Sequence, residues 1–181
     1  DAIRTHFDGF RTVLIDGVTG SGKTEVYLNL IAHAIAQNRQ VLVLVPEIAL
    51  TPQALRRYRE RLSAPVLALH SGLSDNERAR AWTYARTGAP CVVLGTRSAV
   101  FTPLPKPGLI VVDEEHDGSY KQAEGFRYHA RDLALVRAKT MGIPVVLGSA
   151  TPSLETLARI ADGRVELLVL PDRATARARP P

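Results

Sequence analysis

The sequence predicts an α/β protein of three layers, with a mostly parallel central sheet between two layers of helices. Short apolar runs rich in Val, Ile and Leu alternate along the 181 residues with longer amphipathic runs. The apolar runs show little alternation with polar residues, which is typical of strands covered on both faces. Strands separated by segments of helical length need right-handed crossovers, so we expect a parallel sheet.

Seven apolar runs predict the strands of this sheet. They span residues 12–16, 41–45, 66–69, 91–95, 109–113, 145–147 and 165–170. In folds of this kind ligands bind beyond the carboxyl ends of the strands. The polar clusters of this chain follow directly after predicted strands, so we expect them to share one edge of the sheet.

Five helices are predicted between the strands, over residues 23–37, 52–62, 75–86, 130–140 and 152–161. Thr51 followed by Pro52 predicts a capped helix start with proline at the first helical position. Ser74 and Glu77 have the spacing of a capping box, which predicts the start of the third helix. Thr151 followed by proline predicts the start of the last helix in the same way as Thr51.

Length and composition suit one cytoplasmic domain over residues 1–171. Apolar periodicity is lost in residues 172–181, which we expect to be a linker or the truncated start of a further segment. No apolar run approaches the ~20 residues that cross a bilayer, so no membrane partner is expected. The lone Cys91 permits neither a disulfide nor a cysteine zinc cluster in this chain. A net charge of +5 permits nucleic-acid binding without requiring it.

A glycine-rich segment, GVTGSGKT at residues 17–24, lies between the first predicted strand and the first helix. It fits the pattern G-x-x-x-x-G-K-[ST] in the context that a phosphate-binding loop requires. Glycines let successive backbone N–H groups converge on phosphate oxygens, and the helix start adds its positive dipole end. Lys23 is expected to reach the β- and γ-phosphates of ATP, and the Thr24 hydroxyl to ligate Mg²⁺. The predicted ATP-binding residues are Gly17, Val18, Thr19, Gly20, Ser21, Gly22, Lys23 and Thr24.

Three acids and a histidine lie at residues 113–116, at the end of the fifth predicted strand. An apolar strand that ends in aspartate at the edge of the phosphate loop is typical of a Mg²⁺ ligand, and we assign this role to Asp113. Glu114 is predicted to orient or deprotonate the attacking water. Two carboxylates this close repel each other unless a cation lies near them. Lys23, Asp113 and Glu114 are therefore the predicted catalytic residues, and the alternative is a solvated acidic turn.

Five longer stretches, one of which includes the acids at 113–116, make this interpretation more specific. They read VPEIALTPQ (45–53), LHSGLS (69–74), GTRSAVFTP (95–103), DEEHDGSYKQAEGFRYHARD (113–132) and GSATPSLET (148–156). In combination they closely resemble the bacterial replication-restart helicases of superfamily 2, which carry a DEAD/DEAH box. The resemblance implies the first RecA-like lobe of such a motor, with the fold of a P-loop NTPase.

The resemblance also implies roles for residues outside the phosphate loop. Residues 47–51, together with Thr96, Arg97 and Ser98, would grip the backbone of single-stranded DNA. His116 would relay the nucleotide state towards DNA with two residues of the last motif, Ser149 and Thr151. Chemistry alone leaves alternatives open, since Arg97 could form a salt bridge, His116 an ordinary hydrogen bond, and Ser149 a local cap.

The loop at residues 118–129 resembles the aromatic-rich loop that couples DNA contact to ATP hydrolysis in this family. It interleaves Tyr120, Phe126 and Tyr128 with Lys121 and Arg127. A base stacked on an aromatic ring contributes ~1–3 kcal/mol, and every base offers a face. The predicted DNA-binding residues of the loop are Tyr120, Lys121, Phe126 and Arg127. The alternative is that the rings pack beneath the loop as core.

The function implied by the resemblance is that of an ATP-dependent 3′-to-5′ DNA helicase acting at stalled forks. Its implied partners are single-stranded and forked DNA, replication-restart proteins of the primosome, and single-stranded DNA-binding protein. A second lobe with its arginine finger does not fit into 181 residues, so we expect the isolated lobe to be largely inactive. Zinc is implied only for the longer protein. Two alternatives are another superfamily 2 translocase and a nucleotide-responsive binding platform without turnover.

Overall fold

A computed structural model describes residues 9–170 of the chain. Seven strands form its main sheet: β1 Thr12–Gly17, β2 Gln40–Leu44, β3 Val66–Leu69, β4 Val92–Gly95, β5 Pro107–Val112, β8 Val145–Ser149 and β9 Glu166–Leu170. Two short strands, β6 Lys121–Gln122 and β7 Tyr128–His129, form a separate antiparallel hairpin. The predicted linker at 172–181 lies outside the described residues.

The sheet has the order β3-β4-β2-β5-β8-β1-β9, and every neighbouring pair in it is parallel. The carboxyl ends of all seven strands therefore meet at one edge of the sheet. The phosphate loop follows β1 in the half that contains β5 and β8. The segments assigned to DNA by resemblance follow β2 and β4 in the other half.

Five helices cover the two faces of the sheet, as the sequence predicts. They are α1 Lys23–Ala36, α2 Pro52–Arg61, α3 Asp75–Arg86, α4 Ala130–Met141 and α5 Leu154–Ala161. Helices α1 and α2 pack on one face, where Tyr27, Ile31 and Tyr58 are buried. Helices α3 and α4 pack on the other face through small residues such as Ala85 and Ala134. The three-layer α/β prediction is confirmed.

The helix starts show where the capping signals succeed and where one fails. Thr51 accepts a hydrogen bond of 3.1 Å from the Ala54 amide, and the Ser74 capping box is complete. The predicted start of the last helix, at Pro152 after a Thr151 cap, is wrong, because α5 begins two residues later, at Leu154. Ser153 accepts a 3.3 Å hydrogen bond from the Thr156 amide and caps α5 instead. None of the helices within residues 9–170 is long and apolar enough to cross a membrane.

Several short elements at the carboxyl edge are missing from the sequence prediction. Three are 3-10 helices, at Glu47–Ala49, Arg97–Phe101 and Gly118–Tyr120, and the fourth is the β6–β7 hairpin. Elements of two to five residues contain too few residues for a periodic pattern. They shape the loops in which the predicted DNA-binding residues lie.

Candidate nucleotide and nucleic-acid site

The phosphate loop, defined as residues 17–24, has the backbone that its glycines permit. Gly20 and Gly22 have positive φ angles of 84° and 97°, which side chains disfavour. Helix α1 begins directly after Gly22, so its free N–H groups point into the loop. The hydroxyl of Ser21 is buried and has no hydrogen-bond partner among residues 9–170. An orphaned donor at a helix start suits a phosphate oxygen.

Lys23 connects the phosphate loop to the acids that follow β5. Its side chain is buried, and Nζ donates a hydrogen bond of 2.6 Å to the Gly17 carbonyl. The same nitrogen lies 3.7 Å from Glu114 Oε1. The loop and the acid segment, defined as residues 113–116, therefore meet across one narrow space. The Lys23 ammonium can exchange its contacts with the Gly17 carbonyl and the Glu114 carboxylate for a contact with a bound phosphate.

Asp113 is held from both faces of the sheet. Its Oδ1 accepts hydrogen bonds from the Tyr27 hydroxyl at 3.0 Å and from the Glu114 amide at 3.1 Å. The Tyr120 hydroxyl donates a hydrogen bond of 2.5 Å to the main-chain carbonyl of Asp113. Burial, followed by the nearby charge of Glu114, raises the pKa of the Asp113 carboxyl above its ordinary value. A cation beside this carboxylate would restore its charged form.

The residues present fit a magnesium ion. Thr24 and Asp113 line one cleft of about 300 Å³, between the start of α1, the end of β2 and the first turns of α2. A hydroxyl and a carboxylate are the oxygen ligands that Mg²⁺ takes beside substrate phosphates. Asp113 Oδ2 accepts no hydrogen bond from residues 9–170, so this oxygen is available to bind the ion.

Glu114 has an unusual backbone for a residue with a side chain, since its φ angle is +46°. Such left-handed conformations cost about 1–3 kcal/mol and concentrate at functional sites. Its two carboxylate oxygens lie 3.7 Å from Lys23 Nζ and 3.7 Å from His116 Nδ1. The carboxylate thus lies between the phosphate-loop lysine and the histidine. A partly exposed carboxylate in this place can act on a water at the phosphate.

The three predicted coupling residues are brought together by hydrogen bonds. His116 Nδ1 and Ser149 Oγ are 2.7 Å apart, and the Thr151 amide donates to Ser149 Oγ at 3.0 Å. Ser149 is the last residue of β8 and is buried. Because β8 lies next to β5 in the sheet, a shift of the acid segment would reach the loop after β8 through this pair.

A buried network around Glu115 was missed in the sequence. Glu115 is fully buried and accepts hydrogen bonds from Arg131, the amide and hydroxyl of Ser153, and Thr156. Burial alone would raise the pKa of Glu115, but these donors hold it below its ordinary value. The network joins the acid segment to the starts of α4 and α5. The sequence of the segment alone cannot distinguish this fully buried acid from Asp113 and Glu114, which are partly exposed.

The predicted DNA-gripping residues after β4 lie in different environments. Thr96 is buried, whereas Ser98 is exposed. Arg97 Nη1 donates to the carbonyls of Ser119 and Lys121 at 3.2 and 3.0 Å. This arginine therefore fixes the start of the loop at residues 118–129 through one nitrogen of its guanidinium group. The salt bridge that the sequence left open for Arg97 is not formed with a described residue.

The aromatic loop, defined as residues 118–129, divides its rings between the core and the surface. Tyr120 is 0% exposed beneath the loop, so its ring offers no face to a base, which contradicts the stacking prediction for this residue. Phe126 is 75% exposed, and Lys121 and Arg127 are also exposed. The Phe126 ring packs on Tyr128 with centroids 5.9 Å apart. The surface of the loop thus combines one open ring with two cations.

The fold and this site define the class of the protein. The chain matches the DEAD/DEAH box helicase family over residues 1–160 and belongs to it. The fold is shared with the helicase domain of Hef from Pyrococcus furiosus, at 23% identity and a TM-score of 0.62 over 90% of this chain and 36% of that one.

Within that class the chain is similar to the replication restart protein PriA. It is 52% identical to PriA of Haemophilus influenzae over 166 residues, which is 92% of this chain and 23% of that protein. It is 47% identical to PriA of Bacillus subtilis over 96% of this chain and 22% of that protein. The chain thus spans about a quarter of the length of the relatives it matches.

Proposed function

We propose that this chain is the ATP-binding first lobe of a 3′-to-5′ DNA helicase that unwinds DNA at stalled forks for replication restart. The observation that carries the proposal is the approach of Lys23 Nζ to within 3.7 Å of Glu114 Oε1. Together with the cleft that Thr24 and Asp113 line, this approach supports a single site for a magnesium-bound triphosphate. Similarity to replication restart proteins supports the setting in the cytoplasm.

The roles follow from what each group can do. The phosphate loop binds the phosphates through its N–H groups and Lys23, and Thr24 and Asp113 would hold Mg²⁺. The ion, when bound, offsets the negative charge of the phosphates. Glu114 orients or deprotonates the attacking water. His116, Ser149 and Thr151 relay the nucleotide state along the edge of the sheet.

The nucleic-acid partner is proposed for the half of the edge that carries β2 and β4. Single-stranded or forked DNA would contact Thr96, Arg97 and Ser98, then the cations and open ring of the aromatic loop. Primosome restart proteins and single-stranded DNA-binding protein are proposed partners of the longer protein. Zinc is proposed to bind outside this chain, whose single cysteine, Cys91, is buried.

Titration calorimetry of the chain with Mg-ATP tests the proposal. Lys23→Ala should abolish binding, because it removes the ammonium that the phosphates require. Lys106→Ala is the matched control, since Lys106 directly precedes β5 at the opposite edge of the sheet. Unchanged affinity in the Lys23→Ala chain would refute the assignment of the phosphate loop.

A further inference from the structure

The start of α1 contributes a residue to the site that the phosphate-loop pattern does not include. Tyr27 lies one turn after Lys23 on α1 and is fully buried. Its hydroxyl donates a hydrogen bond of 3.0 Å to Asp113 Oδ1, 86 residues away in the sequence. The two residues thus connect the helix that follows the phosphate loop with the end of β5.

Space for this hydroxyl is provided by a third element, strand β8. A Cβ atom at Gly148 would lie 1.6 Å from the Tyr27 hydroxyl oxygen and 3.2 Å from Asp113 Oδ1. Gly148 lies in β8, beside β5, so only glycine leaves room for the hydroxyl there. The hydrogen bond is therefore built into the packing of α1, β5 and β8.

The bond determines which oxygen of Asp113 is available. Oδ1 accepts from both Tyr27 and the Glu114 amide, whereas Oδ2 accepts from none of residues 9–170. The Tyr120 hydroxyl holds the main chain of the same residue at 2.5 Å. With both its main chain and one oxygen fixed, the carboxylate has little freedom to rotate. A ligand fixed in this way loses less entropy when it binds a metal.

We propose that Tyr27 is a positioning residue that fixes the Asp113 carboxylate and leaves Oδ2 for Mg²⁺. This inference rests on the proposed function, because it assigns the partner of a metal ligand in that site. Groups that orient metal ligands typically contribute 10- to 100-fold to metal affinity. Tyr27 is fully buried, and the proposed role acts only through Asp113.

Calorimetric titrations of the chain with ATP, in Mg²⁺ and in EDTA, separate the two proposals. In the unmodified chain Mg²⁺ should strengthen ATP binding. Tyr27→Phe should reduce that strengthening about 10- to 100-fold and leave the affinity in EDTA unchanged. Tyr84→Phe is the control, since Tyr84 lies on α3, on the other face of the sheet, and makes no hydrogen bond to Asp113.

A double-mutant cycle distinguishes positioning from packing. In an Asp113→Asn background, Tyr27→Phe should have no further effect on the Mg²⁺ dependence of binding. An equal effect in both backgrounds, or unchanged Mg²⁺ dependence in Tyr27→Phe alone, would overturn the positioning role while the nucleotide site stands. If the unmodified chain binds ATP neither with Mg²⁺ nor without it, both proposals are overturned.

Discussion

Arg131 Nη1 donates a hydrogen bond of 2.9 Å to Glu115 Oε2, and both side chains are buried. The carboxylate follows β5, whereas the guanidinium group lies in the first turn of α4, directly after the aromatic loop. Ser153 at the start of α5 completes the network through its amide and hydroxyl. The buried network thus joins the acid segment to the starts of α4 and α5.

Removing one partner of this pair should strongly destabilise the fold. Arg131→Met leaves the Glu115 carboxylate buried without its cation, and such losses cost about 3–5 kcal/mol. Urea unfolding measures the change in the free energy of unfolding. Arg164→Met is the matched control, because Arg164 and Asp162 form an exposed pair, and it should change stability by less than about 1 kcal/mol. Equal losses in the two variants would contradict the role of the buried network.

Acidification should weaken the same network. The folded-state pKa of Glu115 lies below its ordinary value of 4.5. A depressed pKa stabilises the fold at pH values above 4.5, and this contribution is lost as the pH falls from there through the folded-state pKa.

Comparison with Glu115→Gln isolates this contribution, because the other groups titrate in both chains. The stability difference between the two chains should be largest at neutral pH and should shrink as the pH falls below 4.5. Urea unfolding over a series of pH values measures it. A difference independent of pH would show that the charge of Glu115 is not what stabilises the chain.

Substitutions of Tyr120 and Phe126 in the aromatic loop should have opposite effects. Tyr120→Ala removes a fully buried ring and should cost about 3–5 kcal/mol of stability. Phe126→Ala removes an exposed ring and should leave the unfolding midpoint unchanged. It should weaken binding of an oligothymidine by roughly tenfold, the loss of one base stack of about 1.4 kcal/mol.

Fluorescence polarisation with a labelled oligothymidine measures the second effect. Phe10→Ala is the matched control, since Phe10 is a partly exposed phenylalanine just before β1, at the opposite edge. Oligothymidine affinity that falls equally in both variants would exclude a specific role for the loop.

Glu114→Gln should separate nucleotide binding from turnover. The variant keeps the size of the side chain but loses the base, which typically contributes 10²–10⁴-fold to the rate. ATP affinity should stay the same, while the hydrolysis rate in a two-lobe protein containing this chain should fall by about that factor. The isolated chain should hydrolyse ATP slowly even when unmodified, because an arginine finger contributes about 10³–10⁵-fold. Full hydrolysis by the Gln variant would assign the water to another group.

The sheet and its helices were predictable because long elements carry their own periodicity and caps. The capping box of Ser74 and Glu77 correctly predicted the start of the third helix at Asp75. The prediction of a Thr151 cap failed for a tertiary reason. The Ser153 hydroxyl donates a hydrogen bond to the buried Glu115 carboxylate and also accepts one from the Thr156 amide, so Ser153 caps the helix instead. Local sequence contains no information about that carboxylate.

The site was predictable where a backbone pattern carries the chemistry, as in the glycines before Lys23. The contacts of Tyr27 and Tyr120 with Asp113 were not, because the packing of elements that are distant in the sequence creates them. The sequence also does not show which rings of the aromatic loop are buried and which are exposed. Tyr120 can be buried because the Asp113 carbonyl accepts a hydrogen bond from its hydroxyl. Phe126 has no polar atom in its side chain that could form such a bond.

Crystals of the chain grown with Mn²⁺ and a non-hydrolysable ATP analogue test the central claim most directly. Anomalous scattering locates Mn²⁺, which has similar ligand preferences to Mg²⁺. We expect one peak within bonding distance of Thr24 Oγ1 or Asp113, bridged to the phosphates, with Lys23 Nζ moved from the Gly17 carbonyl to a phosphate oxygen. A nucleotide and metal bound away from the carboxyl ends of β1 and β5 would contradict the account.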